Sequence, residues 1–309
     1  MKKNKNIQPE VSIAMCTYNG ALFLREQLES IINQDYKNIT EVVCVDDNSR
    51  DDTWQILEEY AQKYPKFKII QNNSNLGFTK NFEKAFSLTT KPFIAIADQD
   101  DIWYSSKITK LIDNIGSNLM SYSDNEYIDI NGYSLGKKFS DYRRLSTCTS
   151  CLNFTLYNGI SGHTAMINRN LLKYAFPFST VIPYDYWLAF HATQHGVIPY
   201  VNEPLVGYRQ HETNALGAVG VSKSKKKDSV SRKITHEMIL NFITALDERL
   251  VYEKQVLQKL AVTYVDLSLK SRIKRVALFW QNKEALLFFK KRNEFRKAFY
   301  CLKMLWQIR

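Results

Sequence analysis

Three carboxylates close a short apolar run at residues 93–103, FIAIADQDDIW: Asp98, Asp100 and Asp101. Asp98 and Asp100 stand one residue apart, which lets them share a divalent cation and a nucleotide diphosphate. Hard oxygen ligands suit Mg²⁺ or Mn²⁺, with substrate phosphates completing the shell. A second acidic pair, Asp46 and Asp47, closes the apolar run Val42–Val45. A third acid, Asp185, opens a predicted helix that runs to His195, with Gly196 as its stop. Each cluster also has a plain reading as a solvated turn or a helix N-cap, so the positioning elements must decide.

Those elements alternate. Val11–Cys16 predicts a strand, and 22–32 a helix with Leu24, Leu28, Ile31 and Ile32 at helical spacing. Val42–Val45 predicts the second strand, followed by a helix from Thr53. Phe67–Ile70 predicts the third, then a polar loop 72–77 and a helix carrying Phe78, Phe82, Ala85 and Phe86. Phe93–Ala97 is the fourth strand, with a helix from about Ser105 to Asn114. Strand–helix alternation with apolar strands predicts a parallel α/β sheet covered on both faces. Ligands bind such sheets at the carboxyl ends of the strands, so both acidic groups should share one rim. Farther on, a short strand at Ile198–Val201 and a turn at Glu203–Pro204 precede Tyr208-Arg209-Gln210-His211. Only Gly20 follows the first strand, so neither the dinucleotide fingerprint nor a P-loop is present. A diphosphate bound here would need a metal to neutralise it.

The chain has 309 residues and a formal charge of +11. Residues 270–309 hold twelve Lys or Arg against two Glu, a balance of +10 that leaves about +1 for the rest. Basicity therefore belongs to the tail, which argues against a nucleic-acid-binding core. Five cysteines, with one isolated C-x-x-C at Cys148 and Cys151, predict neither zinc nor a disulfide framework. With no apolar leader in MKKNKNIQPE and no spanning segment, the expectation is a reduced, cytoplasmic protein.

Seven pieces resemble family 2 glycosyltransferases, in that family's order: VSIAMCTYNG, VVCVDDNSRDDT, NSNLGFTKN, IADQDD, SGHTAMI, PYDYWLA and VGYRQHETN. They cover roughly 11–214, and DQDDIW, YDYWL and YRQHETN look most like rhamnosyltransferase-type enzymes of bacterial surface polysaccharide synthesis. The resemblance implies a GT-A fold: a Rossmann-like, mostly parallel sheet flanked by helices. It implies an inverting enzyme that moves a sugar from a nucleoside-diphosphate sugar, dTDP-rhamnose or a UDP-sugar, to a glycan acceptor, expected to be lipid-linked. By the same resemblance Thr17 and Tyr18 line the nucleotide pocket, and Asp47 or Asp46 accepts the imide N–H of uracil or thymine. Asn75 and Gly77 lie near base and ribose, and Asp98 holds the ribose or a metal-bound water. Asp100 is a metal ligand, with Asp98 and His211 completing the set around Mn²⁺ or Mg²⁺, and Arg209 neutralises phosphate. Gly162, His163, Tyr184 and Trp187 line the acceptor cleft. Asp185 is the general base that deprotonates the acceptor hydroxyl.

The expected domains are 1–220, catalytic, and 221–309, a basic helical extension joined by a linker with Lys223, Lys225, Lys226 and Lys227. A helix is predicted over 234–260, and the stripe Phe295, Phe299, Leu302 and Leu305 has Arg292, Arg296, Lys297 and Lys303 beside it. Basic amphipathic helices of this kind lie on anionic membranes, here the inner face of the plasma membrane. A sister subunit in a homo-oligomer is the other candidate cover. A D-x-D phosphatase would carry its motif after the first strand, and here it follows the fourth. A non-catalytic nucleotide-sugar binder would not need Asp98, Asp100 and Asp185 together.

Overall fold

The computed structural model describes residues 8–211 and 228–306. The expected boundary at 220 and the Lys223–Lys227 linker lie outside them. In the first half β1 (Val11–Thr17), α1 (Ala21–Ile32), β2 (Ile39–Asp46), α2 (Thr53–Lys63), β3 (Phe67–Gln71), α3 (Phe78–Leu88) and β4 (Phe93–Ala97) alternate as predicted. These strands run parallel in the order β3-β2-β1-β4. Burial on both faces follows the two-residue period of a strand. Ile13, Met15, Val42, Cys44, Ala95 and Ala97 face one core with α1 and α2. Ala14, Val43, Val45, Ile94 and Ile96 face the other with α3.

The sheet continues beyond the alternation, and here it turns mixed. After β5 (Ile102–Trp103) and α4 (Lys107–Ile115) come β6 (Met120–Ile128), β7 (Ser134–Lys138) and the one-turn α5 (Phe139–Tyr142). Three-residue-scale turns lead to β8 (Ala165–Asn168), α6 (Leu172–Ala175), α7 (Tyr184–Ala192) and β9 (Tyr200–Arg209). The full order is β3-β2-β1-β4-β8-β6-β9-β5, with β8 antiparallel to β4 and β6, β9 parallel to β6, and β5 antiparallel to β9. The predicted turn at Glu203–Pro204 is instead part of β9. The strand passes Pro204, which has no N–H to donate, by shifting its register against β6 around Asp124.

The tail is helical: α8 (Asp228–Thr244), α9 (Val251–Val265), α10 (Leu269–Gln281), the one-turn α11 (Lys283–Leu286) and α12 (Glu294–Lys303). The single helix predicted over 234–260 is two, broken where Asp247 accepts from Arg249 and Leu250 bonds back to the Asp247 carbonyl. This tail shares the core on the α3 face of the sheet. Phe242 of α8 lies with its ring centroid 4.2 Å from Phe190 and 6.3 Å from Trp187 of α7. Phe289 fills the space that Gly159 leaves, where a Cβ would come within 2.0 Å of the ring. We expect Phe242→Ala to cost about 3–5 kcal/mol in urea unfolding, the range for emptying a buried aromatic site. A cost below about 1 kcal/mol would mean the tail is not part of this core.

Candidate active site

The parallel strands end on one rim, and β2, β1 and β4 are adjacent there, so Asp46–Asp47, Thr17–Tyr18 and Asp98 lie side by side. The turn after β1 is pinned to the turn after β2. The Asn19 amide donates to Ser49 Oγ, the Arg50 amide to Asn19 Oδ1, the Gly20 amide to Thr53 Oγ1 and the Ala21 amide to Asp51. Asn19 and Asn48 both hold positive φ, at 47° and 64°. Such values are uncommon outside glycine and tolerated best by Asn, and they cluster at functional sites.

Asp46 and Asp47 divide their work. One oxygen of Asp46 accepts from Thr17 Oγ1 at 2.8 Å and Ser49 Oγ at 2.5 Å. The other accepts from the Ser49 amide at 2.9 Å and Gln71 Nε2 at 3.1 Å. Four donors saturate a carboxylate. Asp47 Oδ1 accepts from Asn72 Nδ2 and the Leu76 amide, both at 2.8 Å, and Oδ2 from the Gly77 amide at 2.9 Å. Asp47 therefore keeps acceptor capacity and holds the loop of Asn75 and Gly77 against the rim. Asn75 Oδ1 also accepts from the Gly77 amide at 3.0 Å, an Asx-type turn that needs the positive φ of 79° at Gly77. Tyr18 is half exposed, and its amide and carbonyl both bond the Gln99 side chain, at 2.8 and 3.1 Å. Gln99 fits only because Gly20 has no Cβ, which would sit 2.2 Å from Gln99 Oε1.

The acidic loop is met by two histidines. Asp100 Oδ2 lies 2.9 Å from His211 Nε2, and Asp98 Oδ2 lies 3.1 Å from His163 Nδ1. His163 Nδ1 is also 3.6 Å from Asp101 Oδ2, while Nε2 faces the Asn125 amide at 3.1 Å and the ring stacks on Tyr208. Asp101 is fully buried, and among the described residues its Oδ2 has no hydrogen-bond donor. Burial pushes the Asp101 carboxyl up, with His163 opposing. Burial alone would lower His163, but Asp101 and Asp98 reverse it and hold the imidazole above its ordinary value. Lys107 is enclosed beneath the same group, its Nζ donating to the His163 carbonyl at 2.5 Å and lying 3.4 Å over the Trp103 ring.

Asp185 sits in the first turn of α7 with its Oδ1 on the Tyr186 amide at 2.7 Å. Burial raises its carboxyl to about 6, against the Tyr186 amide, and the charges of Asp98 and His163 and the Gly162 amide act on it too. Tyr184, stacked on Phe82 at 4.2 Å, presses against Gly162, where a Cβ would lie 2.1 Å from the Tyr184 oxygen. The structure thus gathers Asp98, Asp100, Gly162, His163, Tyr184, Asp185 and His211 at one end of the rim. Thr17, Asp46, Asp47, Asn75 and Gly77 gather at the other.

Two expected site residues are placed elsewhere. Trp187 is a core residue: its indole nitrogen donates to the Ala175 carbonyl at 2.8 Å and its ring lies parallel to Phe242. Helical spacing turns Trp187 away from the cleft that Asp185 faces. Arg209 is fully buried, with Nε on the Asp100 carbonyl at 2.9 Å, one Nη on the Ile130 carbonyl at 2.7 Å and the other on Glu26 at 2.6 Å. It braces the acidic loop where a phosphate contact was expected, because the strand that carries it runs directly past that loop. Gln99, Asp101, Lys107 and Glu26 belong to the site's frame without having been expected there. Of these, Gln99 and Asp101 were in view inside DQDD, whereas Lys107 and Glu26 carried no local signal.

A divalent cation fits the donors present. Two neighbouring ligands of an octahedral ion with bonds near 2.1 Å stand about 3.0 Å apart, and Asp100 Oδ2 and His211 Nε2 stand 2.9 Å apart. An imidazole–carboxylate pair suits Mn²⁺ at least as well as Mg²⁺. The expected ligand set of Asp98, Asp100 and His211 is not brought together: Asp98 turns to His163, and the three-ligand group among the described residues is Asp98, Asp101 and His163, with ligand atoms within 4.8 Å of one another. That group encloses a buried carboxylate and a histidine already committed to two acids, which leaves little access for substrate phosphates.

Residues 12–176 match the family model described as Glycosyl transferase family 2. The chain is 32% identical over 230 residues to the dTDP-rhamnosyl transferase RfbG of Shigella flexneri, covering 69% of this chain and 77% of that protein. It is 30% identical over 181 residues to the UDP-Glc:alpha-D-GlcNAc-diphosphoundecaprenol beta-1,3-glucosyltransferase WfgD of Escherichia coli, covering 58% and 68%. Its fold is similar to S. aureus TarS 1-349 in complex with UDP-GlcNAc, with a TM-score of 0.61 at 19% identity over 90% of this chain and 81% of that one. The expected GT-A architecture with a helical C-terminal region is borne out.

Gly162→Ala should cost about 1–3 kcal/mol through overpacking against a ring that cannot swing aside. Adding Tyr184→Phe, which removes the colliding oxygen, should recover part of that loss in a double-mutant cycle. Strict additivity in urea unfolding would refute the contact.

Proposed function

This chain belongs to glycosyl transferase family 2, and from that premise we propose that it transfers a sugar from a nucleoside-diphosphate sugar to a glycan acceptor with inversion. The observation that carries the proposal is Asp185: a buried carboxylate of raised proton affinity at the same rim as Asp98, Gly162 and the Asp100–His211 pair. The base would lie against Asp47, which retains acceptor capacity for the imide N–H of uracil or thymine, with Thr17, Tyr18, Asn75 and Gly77 around it. Both dTDP-rhamnose and a UDP-sugar satisfy that chemistry, and the names of the two relatives favour the same pair of bases. Asp100 and His211 would hold Mn²⁺ or Mg²⁺, which when bound neutralises charge on the leaving diphosphate, while Asp98 is held by His163.

Asp185 then takes the proton of the acceptor hydroxyl as its oxygen bonds the anomeric carbon. The bond from that carbon to the diphosphate oxygen breaks, and its electron pair leaves with the diphosphate. One displacement with base and leaving group on opposite faces inverts the centre. A carboxyl titrating at about 6 is mostly ionised at pH 7 and still a better base than an exposed one. Asp185 protonated below that value cannot accept a proton, so kcat/KM should rise with pH through about 6 and level off above it. Asp185→Asn should fold, lose about 10²-fold or more in turnover, and lose that acid limb. Thermal shifts with UDP, dTDP, GDP and CMP, each with Mn²⁺ or with a chelator, test the donor half. Stabilisation by UDP or dTDP that disappears in Asp100→Ala is expected, and equal responses to all four nucleotides would refute the base assignment.

We also propose that the acceptor is lipid-linked and met at a membrane surface. No helix among the described residues is long and apolar enough to cross a membrane. Yet α12 and the turn after it expose Phe295, Phe299, Leu302 and Trp306 at helical spacing, and α10 exposes Leu269, Ile273 and Trp280 likewise. Arg272, Lys274, Arg296 and Lys303 on the same helices supply charge for anionic lipid. Flotation with anionic vesicles should fall at least severalfold in a Phe295→Ser/Phe299→Ser variant. Equal flotation of variant and native chain would remove the membrane from the proposal.

A further inference from the structure

A cavity of ≈ 420 Å³ opens between the tail and the 151–161 segment, lined by α8, α9, α10, α12 and Tyr157. Three cations, Lys290, Arg292 and Lys303, reach it, and no carboxylate is among the described residues that line it. Tyr157 and Tyr300 join their hydroxyls across it at 2.6 Å. Lys290 Nζ lies 3.9 Å from the Tyr157 ring centre, and the Arg292 guanidinium 5.1 Å from that of Tyr300. Ser231 and Thr235 add hydroxyls from α8. Cations held over aromatic faces beside hydroxyl donors suit a phosphate.

The cavity adjoins the apolar stripe. Lys303 lines it and also lies 5.6 Å over the Phe299 ring, so a phosphate bound inside would have apolar surface at its entrance. It is also joined to the catalytic rim by chain. Tyr157 is six residues from His163, at most ~21 Å even if fully extended, and Gly159 and Gly162 between them are packed against Phe289 and Tyr184.

We propose that this cavity binds the phosphate group of an amphiphile, seating its diphosphate or phosphodiester on Lys290, Arg292 and Lys303 while the apolar chain runs along the α12 stripe. The proposal deepens the reading of a lipid-linked acceptor and rests on it: the sugar of such an acceptor would extend along the 157–163 segment toward Asp185. The shared chemistry has two sources, an isoprenoid diphosphate or a bilayer phospholipid headgroup.

Equilibrium binding to the full chain separates them, using farnesyl diphosphate, inorganic pyrophosphate, and phosphatidylcholine vesicles with or without phosphatidylglycerol. Farnesyl diphosphate should bind about tenfold or more tighter than pyrophosphate, since each buried methylene adds affinity. Lys290→Gln and Arg292→Gln should each weaken it by about tenfold or more, the worth of one charge-assisted contact. Arg292 is exposed, so its variant keeps the test valid if Lys290→Gln fails to fold. The same loss on phosphatidylglycerol vesicles, without farnesyl diphosphate binding, would support the cavity and assign it to the headgroup. Native and variant chains that bind every probe alike, or a native chain that binds none, would overturn it. The thermal shift with UDP or dTDP should be unchanged in both variants. Loss of that shift in the native chain, with the cavity still binding, would sink the donor reading alone.

Discussion

Three carboxylates within four residues at the end of one buried strand repel each other, and the site is organised around relieving that repulsion. Gathering Asp98, Asp100 and Asp101 at a partly buried rim is costly unless hydrogen-bond donors and positive groups reach them. None of the groups that do comes from the strand itself. His163 arrives from the turn before β8, Arg209 and His211 from the end of β9, and Lys107 from α4. His163, His211 and Arg209 each bond a specific atom of the group and Lys107 holds the His163 carbonyl, so losing one would leave a buried charge or a polar atom unmatched. The mixed half of the sheet serves this purpose: the turn before β8 and the end of β9 bring two histidines and Arg209 to a rim that the parallel half makes acidic.

The same constraint separates the roles of neighbouring acids. Asp46 is saturated by four donors and serves as a joint between the first two strand ends, while Asp47 one residue on accepts three among the described residues and holds the 75–77 loop. Asp101 is sealed in and faces His163, whereas Asp98 and Asp100 keep part of their surface open. Asp185 reaches the rim from the opposite side on a helix whose other residues are all buried, which fixes its place. Such rigidity matters for the proposed displacement, since a base misplaced by about 1 Å can cost two orders of magnitude.

The tail is more than an appendage. Phe242, Phe289 and Tyr300 knit it to α7 and to the 151–161 segment, which continues directly into Gly162 and His163. One side of α12 completes the core and the cationic cavity while the adjacent side stays apolar and exposed. The concentration of charge that composition placed in residues 270–309 therefore borders both a cavity and a surface.

Much of this was legible in the chain. Apolar runs of four to six residues, three of them followed at once by Asp or Thr and each then by helical spacing, determined the alternation and put the acids on one rim. That follows because strand and helix periods are local and parallel strands must end together. What the chain alone left undecided depended on contacts across long separations. Trp187 and Arg209 sit in motifs beside proposed site residues, but one was turned into the core by α7 and the other drawn under the acidic loop by β9. The mixed half of the sheet and the division between Asp46 and Asp47 were likewise decided by partners far away in sequence, whereas the break between α8 and α9 is held locally around Asp247. Residue type and spacing state what a side chain can do; the tertiary structure decides which neighbours its charge and hydrogen bonds must answer, and thereby which of those things it does.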